Sequence, residues 1–257
     1  MNEASMLTEV KGGIGWITLN RPPLNVFTTQ MCVEMLAALN RFDADPNVRL
    51  IVFAANGERA FSAGADIGEH DEARMAELST AVFNLMKALI NPAGKLRIAA
   101  AQGICAGGGV ELAFACDIVV ARDDAHFSMP EVHLGLANSL AALCLARTMS
   151  QSKALELAMT GDRISAREAL GLGMITQVFP VESFRADLDK YLERFTAKSG
   201  PALHSGRTFM RRVFEMKAEE GLDYLHREMP AEALTRHDYH EGIAAYLEKR
   251  KPRWTHS

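Results

Sequence analysis

The chain has 257 residues, 48% of them apolar and 23% charged, with a formal charge of −4. That length carries a full-sized core, and the balance excludes a disordered, fibrous or disulfide-dependent miniature protein. The weak negative charge leaves no electrostatic footprint for a polyanion. The basic run Lys249, Arg250, Lys251 and Arg253 reads as a solvated or subunit-contact end. The amino terminus Met1–Leu7 is polar and acidic, and no apolar run approaches the roughly 20 residues of a membrane helix, so a cytoplasmic protein is expected.

In chain order, Met6–Val10 and Ile14–Leu19 flank Lys11-Gly12-Gly13 and predict a hairpin, stopped by Arg21-Pro22-Pro23. Apolar residues at helical spacing follow from Thr28 to about Phe42. Arg49–Ala54 is then a run short enough for a buried strand. The polar stretch Asn56–Asp66 leads to a second helical pattern over about Asp71–Ile90, and Arg97–Gln102 predicts another strand. After the glycines at 103 and 107–109 come a helical Val110–Cys116 and the apolar run Ile118–Ala121. Crossovers of this length imply parallel strands, with ligands gathering beyond their carboxyl ends.

Ser165-Ala-Arg-Glu168 has capping-box spacing, and its short helix ends at Gly171 and Gly173. Past Pro180 a helix runs to about Lys198. Ser199-Gly200-Pro201 then marks a boundary between a core, 1–198, and a helical region, 199–257, with patterns over Phe209–Met216, Leu222–Leu234 and Ile243–Arg250. Cys32, Cys105, Cys116 and Cys144 stand singly in apolar surroundings, as buried free thiols do. His237 and His240 lack a third ligand at suitable spacing, and no metal site is expected.

Three features carry chemistry. Gly107-Gly108-Gly109 lies between a strand and a helix, where residues without a Cβ let a substrate approach the backbone and free N–H groups favour an oxygen bearing negative charge. Gly108 is therefore a candidate oxyanion donor; tight strand-to-helix packing is the alternative. The loop Phe61 to Asp66 could bring a second N–H, that of Ala65, to the same oxygen. The third feature is the pair Glu111 and Glu131: Glu111 sits one turn into an otherwise apolar helix, where a lone carboxylate is costly unless paired, protonated or bonded. Two carboxyls flanking one water can divide acid and base roles.

Together these segments resemble the crotonase, or enoyl-CoA hydratase/isomerase, superfamily over essentially the whole chain. The resemblance rests on Leu19-Asn20-Arg21-Pro22, Ala60 to Asp66, Ile98-Ala99-Ala100, Gly107 to Ala113, Cys116-Asp117-Ile118, Met129-Pro130-Glu131 and the tail from Glu241-Gly242 to Lys251. It implies an α/β fold, a spiral of ββα units with a helical carboxyl-terminal oligomerisation region, assembled as a homotrimer or homohexamer. It also assigns Ala65 and Gly108 to an oxyanion hole and Glu111 and Glu131 to catalysis. Substrate and coenzyme A contacts fall to Pro23, Leu24, Ala63, Gly64, Ala65, Asp66, Ile67, Gly68, Gly107 and Ser139. The implied reaction is hydration of an enoyl-CoA thioester, with coenzyme A part of the substrate and neither metal nor redox cofactor.

The chain departs from the family after Gly135, where a proline and a glycine-rich turn are usual. Here the sequence is Leu136-Ala137-Asn138-Ser139-Leu140-Ala141-Ala142, and these side chains reshape the acyl pocket. That turn and the Ala65 to His70 loop look more like hydratases of cyclic dienoyl-CoA thioesters in anaerobic aromatic degradation. An isomerase or hydrolase using the same oxyanion hole is the nearest rival. A non-catalytic RNA-binding relative fits poorly with the glutamate pair and the negative charge.

Overall fold

A computed structural model describes residues 4–138 and 140–257. Strands β1 (Met6–Lys11) and β2 (Ile14–Leu19) form the expected antiparallel hairpin, turned by Gly12 and Gly13 at φ 62° and 81°. Helix α1 (Thr29–Ala44) starts at Thr28, whose hydroxyl accepts from the Met31 N–H.

Three long-strand, short-strand units follow: β3 (Leu50–Ala55) with β4 (Ala60–Ser62) and α2 (Met75–Ile90); β5 (Leu96–Ala101) with β6 (Ile104–Ala106) and α3 (Gly108–Ala115); and β7 (Ile118–Arg122) with β8 (His126–Ser128). A 3-10 turn, Pro130–Leu134, closes the third. The remaining elements are α4 (Ala141–Cys144), α5 (Gln151–Thr160), β9 (Ile164–Ser165), α6 (Ala166–Gly171), β10 (Gln177–Phe179), α7 (Phe184–Thr196), α8 (Gly200–Val213), α9 (Ala218–Ala233) and α10 (His237–Leu247).

Long strands make one sheet, in the order β1-β2-β3-β5-β7-β10, parallel apart from the hairpin; short strands make a second, β4-β6-β8-β9. Each unit climbs from the first sheet to the second and returns through a helix, which is the spiral implied by the resemblance.

Strand periodicity divides the core. Ile17, Ile51, Phe53, Ala99 and Ala121 point toward the helices and the second sheet. Trp16, Val52, Ile98 and Val120 face the opposite way, against Leu188, Tyr191 and Leu192 of α7. A sheet covered on both faces explains why β3 reads Leu-Ile-Val-Phe-Ala without alternation.

Four elements differ from the sequence reading. The second helix begins at Met75 because the Asp71 carboxylate takes the Arg74 N–H in a preceding turn. The third last helix begins at Gly200, not near Phe209: Ser199 caps it and Pro201 suits its first turn. The last two start at Ala218 and His237. The Ser165 capping box forms as expected, and all four cysteines are free and buried. No helix among the described residues is long and apolar enough to cross a membrane.

The helices from 200 onward are tied to the rest. The Trp254 indole donates to the Ala197 carbonyl (3.0 Å), and buried Asp238 accepts from the Thr255 and His256 amides (2.8 and 3.2 Å). Within the basic tail, Arg250 pairs with Glu241 at 2.6 Å, holding that carboxyl down at about 2.

Candidate active site

Two loops at the ends of β4 and β6 build the site. The first, residues 63–68, is fastened to the chain before α1. The Ala63 N–H donates to Leu24 O (2.9 Å), Phe27 N–H to Gly64 O (3.0 Å) and Asp66 N–H to Phe27 O (2.9 Å). Buried Asn25 braces both strands of this lacing, its amide donating to Asn56 O (2.9 Å) and Ala60 O (2.8 Å) while its oxygen accepts from Arg21 N–H (2.9 Å). The Glu69 carboxylate accepts from the Thr29 N–H and hydroxyl, both at 2.7 Å, joining the loop to the start of α1.

The second loop brings Gly107, at φ 54°, into a backbone conformation that side chains rarely adopt, and α3 begins at the next residue. The glycines make room for a close approach of the loops. A Cβ on Gly64 would meet the Gly108 nitrogen at 2.9 Å, and one on Gly108 would lie 3.3 Å from the Ala65 nitrogen and 2.8 Å from Cζ of Phe27. Since a Cβ is about 2.5 Å from its own nitrogen, the 65 and 108 amides are at most about 6 Å apart. That separation allows one oxygen to accept from both at about 2.9 Å. Neither N–H donates to an acceptor among the described residues.

The carboxyls flank this point. A Cβ on Gly107 would lie 2.7 Å from Oε1 of Glu131, so that carboxyl rests on the residue immediately before the Gly108 amide. Its Oε2 is buried without a partner among the described residues. The Glu111 N–H donates to Gly107 O (3.1 Å), setting its side chain in the first turn of the same helix. Burial, then the Glu131 charge, pushes the Glu111 carboxyl up to about 8; burial also raises Glu131. Two half-buried carboxyls with raised pKa, beside two free amides, are equipped to hold a water and to move protons next to a developing oxyanion.

Of the residues singled out in the sequence, Ala63, Gly64, Ala65, Gly107, Gly108, Glu111 and Glu131 converge here. Pro23 and Leu24 lie on the adjoining loop, and Asp66, Ile67 and Gly68 form its solvent-facing rim, with Ile67 61% exposed and Asp66 3.6 Å from Arg21. Ser139 lies outside the described residues. Sequence reasoning missed Asn25, Phe27 and Glu69; only Asn25 carried a signal, as a residue that tolerates its φ of 49° between Pro-Pro-Leu and an apolar pair. A cleft of about 520 Å³ lies at the other end of α3, among Phe114, Leu143, Met210 and Phe214. None of the converging residues lines it, and the chemistry is assigned to the glycine loops because the carboxyls and free amides meet there.

Residues 9–257 match the enoyl-CoA hydratase/isomerase family. A probable enoyl-CoA hydratase of Mycobacterium bovis is 33% identical over the full length of both chains. A probable mitochondrial enoyl-CoA hydratase of Dictyostelium discoideum is 34% identical over 96% of this chain and 89% of its own. The crystal structure of an enoyl-CoA hydratase of Mycobacterium smegmatis superposes with a TM-score of 0.91 at 28% identity, covering 98% of this chain and 99% of the other.

Proposed function

Because the chain belongs to the enoyl-CoA hydratase/isomerase family, we propose that it adds water reversibly across the double bond of an enoyl-CoA thioester. Ala65 and Gly108 N–H groups bind the thioester oxygen. Glu111 and Glu131 hold the water over the double bond. The water oxygen bonds to Cβ, one carboxyl takes a water proton, the other delivers a proton to Cα, and enolate-like charge on the thioester oxygen is stabilised by the two amides until Cα is protonated. Burial raises both carboxyls, Glu111 to about 8, and the protons they exchange belong to the pair. The reaction runs on these four groups, with coenzyme A carried by the substrate.

The observation that carries this reading is the Glu131 carboxyl, resting on Gly107 one residue from the Gly108 amide, with neither Oε2 nor that amide partnered among the described residues. Incubation with crotonyl-CoA tests it: hydration adds 18 Da to the thioester. Isomerisation would leave the mass unchanged, and hydrolysis would release the free thiol. Glu111→Gln is expected to abolish most turnover with thioester binding kept, as for a group acting in the transition state.

A cyclic dienoyl-CoA is the narrower substrate reading. It is supported by the sequence Leu136 to Ala142 standing where a proline and a glycine-rich turn are usual, with the Asn138 amide donating to the Met129 carbonyl (3.5 Å) and to that of Ala158. A higher kcat/KM for a cyclic dienoyl thioester than for crotonyl-CoA would support it, and the reverse order would remove it. Residues 199–257 are read as the trimer- or hexamer-forming region, supported by exposed Met210, Phe214, Leu222, Ile243, Tyr246 and Leu247. Light scattering on the purified chain gives the stoichiometry, and a monomer would sink it.

A further inference from the structure

Helix α3, which carries both Gly108 and Glu111, is eight residues long, and its carboxyl end is held by α8. Asp117, two residues past α3, accepts from Nε of Arg207 (2.6 Å), Nε of Arg211 (2.8 Å) and the Arg97 N–H (2.8 Å). Nη2 of Arg211 also faces the last carbonyls of that segment, Ala115 O at 3.5 Å and Cys116 O at 3.4 Å. One turn back along α8, Arg207 donates to Leu89 O (3.1 Å), Asn91 O (2.7 Å) and Gly94 O (2.9 Å), and so caps α2. One face of α8 thus fixes the ends of two helices of the core.

We propose that Arg211 is a positioning residue for the reaction: through Asp117 and the carboxyl end of α3 it sets where the Gly108 amide and the Glu111 carboxyl stand in the site. This rests on the hydratase reading above. The argument is geometric. A short helix is a rigid rod, so a shift or tilt at its last turn is passed to its first, where an amide and a carboxyl must meet one substrate. A cation at the carboxyl end also complements the helix dipole whose positive end faces the oxyanion. Among the described residues Arg211 bonds none of the site, and its own bonds reach it through Asp117 and the carboxyl end of α3.

Arg211→Gln keeps a donor but loses the charge, the fork and part of the reach; Arg211→Lys keeps the charge and most of the reach. The expected result for Arg211→Gln is a kcat for crotonyl-CoA lowered roughly ten- to a hundredfold, with KM changed less than about threefold. Arg211→Lys should recover much of the loss. The deciding measurement needs no turnover: the infrared carbonyl stretch of bound butanoyl-CoA, labelled with carbon-13 at the thioester carbon. In the wild-type protein the two amides should lower that frequency, and in Arg211→Gln the lowering should shrink. A wild-type shift that Arg211→Gln leaves intact, with only melting temperature reduced, would reduce Arg211 to a structural tie and overturn the proposal. No shift in the wild type would remove the oxyanion reading itself, and this proposal with it. A normal wild-type shift without hydration of either crotonyl-CoA or a cyclic dienoyl thioester would fail the hydratase reading alone, leaving the carbonyl frequencies of the variants to judge Arg211.

Discussion

The carboxyl of Glu131 lies against the backbone of Gly107, where a first side-chain carbon would stand 2.7 Å from Oε1. Gly107 therefore has two reasons to lack a side chain, its φ of 54° and the carboxyl above it. Gly107→Ala should cost about 1–2 kcal/mol in backbone strain. It should also push Glu131 away and lower kcat by roughly a hundredfold or more. Gly12→Ala is the control: at φ 62°, with nothing near the added carbon, it places a side chain at positive φ away from the site and should leave kcat alone. Equal activity in the two variants would show that the Glu131 contact does not matter.

The raised carboxyls make stability depend on pH in a defined direction. Glu111, pushed from about 4.5 up to about 8, keeps its proton in the folded chain through a window in which the unfolded chain has lost it. The native state binds more protons there, so unfolding free energy falls as pH rises across that window and levels off above it. Glu131 acts in the same sense. Glutamine at 111 cannot ionise and removes that part of the slope. Urea unfolding at pH 5, 6, 7 and 8 should show Glu111→Gln gaining on the wild type with each step, by roughly a few kcal/mol in all. Parallel stability curves would contradict a buried, raised Glu111.

The long strands and the two glutamates were legible because each leaves a local trace. Leu50–Ala55 is an apolar run of strand length, and Glu111 interrupts an apolar helix. The second sheet left none: β4, β6 and β8 are three residues each and β9 two, too short for any periodicity, and they exist because neighbouring units of the spiral pair them. The start of α8 was misplaced for a related reason. Its first half packs through Ser205 and Arg207, polar residues that a search for apolar spacing passes over. The convergence of Ala65 with Gly108 was suggested by residue type, but the agents that enforce it, Asn25 and Phe27, act across the fold.

Asn25 should prove costly to replace. It is wholly buried at φ 49°, and its side chain makes three bonds, from Arg21 N–H and to Asn56 O and Ala60 O. Asn25→Ala strands those groups and adds strain, and should destabilise the chain by about 2–4 kcal/mol. Asn25→Gly loses the same bonds without the strain and should be milder. Because Asn25 O also accepts from the Ser62 hydroxyl (2.8 Å), which in turn accepts from Gly64 N–H (3.1 Å), both variants should lose kcat per folded molecule. Full activity in either would mean that the 63–66 loop holds its shape unaided.

Arg207 tests the other end of the frame. Its guanidinium, on a residue only 5% exposed, gives Nε to Asp117 and its remaining nitrogens to the carbonyls that end α2. Arg207→Met retains much of the stem's packing but leaves a buried carboxylate and several carbonyls short of donors, which should cost about 3–5 kcal/mol. Arg207→Lys supplies a charge without the planar fork, can serve Asp117 or the carbonyls but not both, and should fall between. Chemical denaturation of the three proteins orders them. A methionine variant within about 1 kcal/mol of wild type would mean that water satisfies these groups as well as the arginine does, and that α8 is docked by its apolar contacts alone.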